Sequence, residues 1–234
     1  MILKEQKDFY DEYWKSRDAI SFSKRARLIA IMKKLDSYCK PGTKLKILDL
    51  GCGDGRSVAV WSLFGAPFGL ELSPEAVHVG NRCFPEFKII EGDATNIPFE
   101  NNSFDLVINQ EVIEHIENQE LLLQECGRIL KTGGHLILTT PNKYYFDRRK
   151  GGNYSNQPIE KIIGPHYLSS IVSMNNFSII EIETIIPKKG DYGVYYFLDR
   201  ILGRIRLIIP FINYVKNRFL LSAHILIVAV NNKV

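Results

Sequence analysis

The sequence predicts an α/β fold built on a doubly wound, mainly parallel sheet, and three observations predict it. Between residues 41 and 186, apolar runs of strand length alternate with segments of helical period, the pattern of a parallel sheet flanked by helices. The first run, Ile47-Leu48-Asp49-Leu50, ends in an acid and opens into Gly51-Cys52-Gly53-Asp54-Gly55, with a helical stretch following from Ser57 to Phe64. Three more runs also end in polar residues: Phe68 to Ser73, Lys88 to Ala94 and Phe104 to Asn109. Ligands in open α/β sheets bind outside the carboxyl ends of the strands, so Asp49, Glu71, Asp93 and Asn109 are expected around one crevice.

Each element has its own signal. Phe9, Tyr10, Tyr13 and Trp14, then Leu28, Ile29, Ile31, Met32 and Leu35, have the spacing of amphipathic helices ahead of the sheet. Pro41-Gly42 turns the chain into the first strand. The three glycines that follow permit positive φ and let a ligand approach where a Cβ would collide. Glu71 closes the second strand about 20 residues later, where a carboxylate can accept hydrogen bonds from both hydroxyls of a ribose. The loop alone also suits a dinucleotide-binding enzyme or a plain tight turn. Residues 119–130 read as a helix ending before Thr132-Gly133-Gly134, and Leu136 to Thr140 as the fifth strand. Tyr167 to Met174 is helical, Ser178 to Ile186 a strand, and Ala223 to Val230 the last strand.

Composition is that of a globular protein: 234 residues, 45% apolar and a net charge of +4. Cys39, Cys52, Cys83 and Cys126 have no metal-binding spacing and read as reduced thiols. The first residues lack the apolar core of a signal peptide, so a cytoplasmic location is expected.

Taken in order, these motifs resemble those of the class I S-adenosylmethionine-dependent methyltransferases. Asp49 to Gly55 is similar to the first motif of that family, Glu71 to its ribose acid and Glu91-Gly92-Asp93-Ala94 to its adenine segment. Phe104-Asp105-Leu106-Val107 is similar to its fourth strand, and Leu130 to Thr140 to its turn into strand five. The resemblance implies a Rossmann-like sheet of seven strands with the last antiparallel, and S-adenosylmethionine as cofactor. It further implies cofactor contacts from Asp49, Gly51, Cys52, Gly53 and Gly55, from Glu71 and Leu72, from Asp93 and Ala94, and from Asn109 and Gln110. The whole of 1–234 is then a single methyltransferase domain: cap helices in 1–40, the cofactor-binding core in 41–186, a basic insertion in 187–221 and the last strand in 222–234. A nicotinamide-dependent oxidoreductase and a non-catalytic partner subunit of the same fold are the alternatives.

The acceptor chemistry rests on Glu111-Val112-Ile113-Glu114-His115, whose two acids and histidine share one face if the segment is helical. Three roles follow for them: ligands of a divalent cation, a base in His115 that takes a proton from an acceptor hydroxyl, or helix packing. The same spacing occurs in the ubiquinone-biosynthesis O-methyltransferases. That resemblance implies a metal such as magnesium held by Glu111, Glu114 and His115, with Asn142 as the matching partner after strand five.

Two insertions are expected to define the acceptor. Lys143 to Lys161 carries seven ionisable residues, five of them basic, reads as a lid, and leads to His166-Tyr167, a pair that in the family borders the acceptor pocket. Pro187 to Leu221 has seven Lys or Arg against Asp191 and Asp199, and its apolar residues fall at helical spacing. Its longest apolar run is far shorter than the roughly 20 residues of a membrane span. The segment therefore reads as a cap, a dimer surface or a peripheral contact with an anionic membrane. Gln110-Glu111-Val112 replaces the Pro-Pro-aromatic run used on nucleobase amines, and no Pro-Cys nucleophile motif occurs, which disfavours nucleic acid. The expected acceptor is a small molecule or lipid-like compound, methylated on a hydroxyl oxygen, with the protein a monomer or homodimer.

Overall fold

The computed structural model describes residues 2–15, 21–38, 44–147, 157–185 and 222–233. The insertion at 187–221 and the basic stretch at 148–156 lie outside the described residues, and with them the cap, membrane and lid expectations.

Two helices precede the sheet, α1 (Ile2–Lys15) and α2 (Phe22–Tyr38). The core then runs β1 (Leu45–Leu50), α3 (Arg56–Trp61), β2 (Gly65–Glu71), α4 (Pro74–Cys83), β3 (Lys88–Glu91) and β4 (Phe104–Gln110). It continues through α5 (Gln119–Ile129), β5 (Leu130–Pro141), α6 (Lys143–Phe146), α7 (Pro165–Met174), β6 (Phe177–Ile185) and β7 (His224–Asn231). The strands form one seven-stranded sheet in the order β3-β2-β1-β4-β5-β7-β6. Strands β1 to β5 pair parallel, whereas β7 runs antiparallel to both β5 and β6. The expected Rossmann-like topology is therefore observed, antiparallel last strand included.

Alternating side chains put apolar residues on both faces of the central strands. On one face Leu48, Val107, Leu136 and Ile227 pack with Leu122 and Ile129 of α5 and Leu168 and Ile171 of α7. On the other, Ile47, Ile108, Ile137 and Val228 pack with Leu28, Ile31 and Leu35 of α2 and with Trp61 of α3. Each fully buried Leu or Ile is worth about 1.5–3 kcal/mol. Chain order reverses between β1 and β4, and a ligand crevice opens at such a switch point.

Two local expectations need correction. The fifth strand begins at Leu130, and the register shift between Phe104 and Leu106 lets Lys131 to Gly134 bulge out before the ladder resumes at His135. More important, Glu111 to His115 is not a regular helix. Glu111 stands at φ 59, and only Ile113–His115 forms a single 3-10 turn. A left-handed residue cannot continue a right-handed helix, so Glu111 and His115 do not share a helix face.

Candidate active site

A cleft of about 520 Å³ lies over the carboxyl ends of β1 to β4. Its floor is the glycine loop. Gly51, Gly53 and Gly55 stand at φ 77, 60 and 77, in the left-handed region. A Cβ on Gly51 would lie 2.2 Å from Val112 Cγ2, and one on Gly53 2.4 Å from Trp14 Cζ2. Conformation and space thus both demand glycine there. The loop is fastened to β2, since Leu70 O accepts from the amides of Gly51 at 2.8 Å and Cys52 at 3.2 Å.

Glu71 clamps the next turn. Its Oε2 accepts from Gly53 N at 2.8 Å, and its Oε1 from Leu72 N at 2.9 Å and Ser73 N at 3.0 Å. Burial pushes its carboxyl above the ordinary range, while the three amides pull it back. Asp49, also buried, accepts from Trp61 Nε1 at 2.9 Å; burial raises it to about 6 against hydrogen bonds from Ser57 and Trp61. Asp93 Oδ1 accepts from both Thr95 N and Thr95 Oγ1, which shapes the turn after β3.

Of the expected cofactor residues, Asp49, Gly51, Gly53, Glu71, Leu72, Asp93, Ala94 and Gln110 line the cleft. Cys52, Gly55 and Asn109 do not. The Cys52 side chain packs away from the cleft beside Val58 and Ile89, and Gly55 caps α3. Asn109 is fully buried one residue before Gln110, hence on the opposite face of β4, and its side-chain amide has no hydrogen-bond partner among the described residues.

Helix α1 roofs the cleft and is tied down on both sides. Lys7 pairs with Glu91, and Asp11 accepts from Ser73 Oγ and from Glu75 N. Across the cleft, Gln6 Nε2 donates to His115 O at 2.7 Å and Tyr10 OH to Gln157 Oε1 at 2.7 Å. Burial, then the nearby charges of Glu71 and Glu114, push the Tyr10 hydroxyl upward, so it stays un-ionised. Lys24 Nζ sits 5.6 Å from the Trp14 ring centroid, and Arg27 also faces the cleft. Tyr10 and Trp14 were visible in the sequence only as an apolar stripe, and Lys24 and Arg27 carried no signal of their own.

At the other end, the 3-10 turn carries Glu114 and His115 into the cleft. His115 Nδ1 lies 2.9 Å from Ile159 O. A carbonyl only accepts, so Nδ1 carries the hydrogen and Nε2 keeps its lone pair. Nε2 is 3.7 Å from Glu114 Oε1. Burial lowers the affinity of His115 for a second proton, against the Ile159 hydrogen bond and the charges of Glu160 and Glu111. Glu114 accepts from Thr140 Oγ1 at 3.0 Å and is held well above the ordinary range, by burial first and then by the charge of Glu111. His166 and Tyr167 begin α7 on the exposed surface and are not among the residues lining the cleft.

The expected metal set does not assemble. Glu111 accepts from Thr139 Oγ1 at 3.0 Å and pairs with His224 at 2.8 Å and Arg27 at 3.4 Å. Glu114 instead bonds Thr140. Thr139 and Thr140 are neighbours on β5 and point to opposite faces, so the two acids are held by different partners. Asn142 is buried off the cleft, with Oδ1 capping α6 at Tyr144 N and Nδ2 donating to Ser222 O. Among the described residues no group of three or more His, Cys, Asp or Glu is arranged to hold a metal ion. Held by these partners, the donors do not fit a divalent cation.

Residues 48–138 match the methyltransferase domain family. A protein of Encephalitozoon cuniculi named as a methyltransferase is 33% identical over 153 residues, covering 62% of this chain and 68% of that protein. The mitochondrial ubiquinone biosynthesis O-methyltransferase of Rattus norvegicus is 29% identical over 160 residues, 60% of this chain and 46% of its own length. This chain thus spans about half of that enzyme. Among solved structures, the Haloferax volcanii methyltransferase in complex with its activator Trm112 superposes with TM-score 0.68 at 18% identity, covering 99% of this chain and 98% of that one. Phosphoethanolamine N-methyltransferase 2 of Haemonchus contortus gives 0.68 at 22%, covering 98% and 57%. At such identities these two likenesses bear on the fold alone.

Proposed function

The chain belongs to the class I S-adenosylmethionine-dependent methyltransferases, and from that premise we propose that it methylates a hydroxyl oxygen of a small hydrophobic acceptor, quinone-like, lipid or sugar-derived, with His115 as the base. Methyl transfer from S-adenosylmethionine is its reaction. Membership replaces the nicotinamide-oxidoreductase alternative.

The residues present fit the cofactor. Gly51 and Gly53 line the cleft with left-handed backbone and no side chain of their own, which suits the methionine part. Glu71 keeps acceptor capacity beyond its three amide bonds and suits the ribose hydroxyls. Asp93 and Ala94 suit the adenine. Lys24 and Arg27 are the lysine and arginine on the cleft wall among the described residues, and either suits the methionine carboxylate. When bound, the cofactor supplies an electrophilic sulfonium methyl group, so the chain's own task is to orient the acceptor, exclude water and receive one proton.

The observation that carries the acceptor reading is the tautomer of His115. With its hydrogen fixed on Nδ1 by Ile159, Nε2 is free to take the acceptor's proton as the oxygen bonds to the methyl carbon. Leu3, Tyr10, Tyr13, Ile116 and Leu121 provide apolar wall for a hydrophobic molecule. Among the described residues no helix is long and apolar enough to cross a membrane. The basic and apolar composition of 187–221 supports peripheral contact with an anionic surface, and loss of vesicle flotation on deleting 194–221 tests that part. For the reaction itself, the protein is incubated with methyl-labelled cofactor and fractionated soluble and lipid extracts. Label is expected in an ether-linked product; label on nitrogen or carbon overturns the reading.

A further inference from the structure

Glu111 is the strained residue of the cleft. Its φ of 59 is a backbone that glycine holds without cost, yet the position carries a long acidic side chain. That side chain is anchored from β5, where Thr139 donates to Oε1 at 3.0 Å, and it lies against His224 of β7, whose Nδ1 is 2.8 Å from Oε2 but outside hydrogen-bond geometry. Its own amide donates to Thr139 O at 2.9 Å. Arg27 is held much more loosely. Its Nη1 lies 3.4 Å from Glu111 Oε2, and its Nε is buried without a hydrogen-bond partner.

We propose that Glu111 is a positioning residue whose anchored carboxylate aims Arg27 at the methionine carboxylate of the bound cofactor. The inference rests on the role given to Arg27 above. The hydroxyl and carbonyl of Thr139 fix Glu111 to the sheet, so Glu111 is the rigid member of the pair. Arg27 reaches over from α2 and takes its direction from it, leaving guanidinium N–H groups for an anionic ligand. A guanidinium oriented before the ligand arrives has less freedom to lose on binding. The left-handed backbone has a second effect: it turns Val112 against Gly51, so the same residue braces the glycine loop.

Two ligands separate aiming from general support. S-adenosylhomocysteine keeps the amino-acid part, and 5′-methylthioadenosine lacks it. By titration calorimetry, Glu111→Gly keeps the backbone φ and removes the carboxylate; it is expected to weaken S-adenosylhomocysteine about tenfold while 5′-methylthioadenosine stays within about twofold. Glu111→Gln, which keeps the Thr139 hydrogen bond, is expected to recover part of the loss. His224→Asn removes the side chain in contact with Glu111 Oε2 off the cleft wall and is expected to give a smaller loss, again selective for S-adenosylhomocysteine. Equal weakening of both ligands in Glu111→Gly, or of neither, overturns the proposal, and the His224→Asn result decides it if that variant fails to fold. Arg27→Ala keeps the two readings apart. If it loses S-adenosylhomocysteine selectively while Glu111→Gly does not, only the Glu111 role fails; if Arg27→Ala binds both ligands like the wild type, the Arg27 role fails and Glu111 with it.

Discussion

At the scale of single residues, the cleft works by fixing what each polar atom can do. His115 has one nitrogen committed to Ile159 O and one lone pair left over. If that lone pair takes the acceptor's proton, His115→Ala lowers kcat by about 10²–10⁴-fold while S-adenosylhomocysteine affinity stays near wild type, a split that titration and initial-rate kinetics measure together. The pH profile has a defined sign. Burial lowers His115 below its ordinary 6.5, and only the neutral ring is a base. Activity is therefore full at neutral pH and falls as pH drops through that lowered value; an acid limb centred above 6.5 contradicts the assignment. Chelators are expected to leave the rate unchanged, because Glu111, Glu114 and Asn142 already serve protein partners. Gly53→Ala has to adopt a left-handed φ and meets the Trp14 ring. The backbone alone costs about 1–2 kcal/mol, so a lower thermal midpoint is expected together with weaker cofactor binding.

At the scale of elements, α1 closes the cleft without contributing to the sheet. Its hydrogen bonds lie at opposite ends of the crevice, Asp11 at the start of α4 and Gln6 and Tyr10 beside the 3-10 turn and Gln157, with the Trp14 ring packed on Gly53 between the elements. A helix held by a few such bonds opens at far lower cost than the core strands. Asp11→Ala removes the bonds to Ser73 and Glu75, and faster release of S-adenosylhomocysteine is expected by stopped flow. The signal is built in, because the chain has two tryptophans, Trp14 over the glycine loop and Trp61 buried under β1. Binding should change the fluorescence of Trp14. The change is expected to vanish in Trp14→Phe and persist in an Asp11→Ala background; a signal that survives Trp14→Phe places the ligand away from α1.

At the scale of the whole molecule, the cleft is where sequence-distant parts meet, and this decides how much of it the sequence can declare. Gly51, Glu71 and Asp93 were legible because each lies at the end of its own strand, inside a local motif whose residue types the backbone demands. Arg27 was not, since it reaches Glu111 from α2, far away in the sequence, and nothing in its neighbourhood marks it. Asn109 and Gln110 are adjacent, and only the pleat decides that one is buried and the other lines the cleft. The Glu-x-x-Glu-His run suggested a helical metal face because nothing in its letters announces a glutamate at positive φ. The same convergence has a thermodynamic consequence. A ligand that touches the ends of β1, β2 and β3 together with α1 and α2 binds only when all of them are assembled, so it is linked to folding of the whole chain. At a free concentration of 100 times Kd, S-adenosylhomocysteine should add about 2.7 kcal/mol. For a chain of 234 residues that corresponds to a rise in the thermal midpoint of roughly 5–10 °C. Arg27→Ala should reduce the shift at fixed ligand concentration by lowering affinity, and leave it intact when concentration is rescaled to the variant's own Kd. A midpoint that does not move with saturating ligand in wild type excludes a cofactor site shared among these elements.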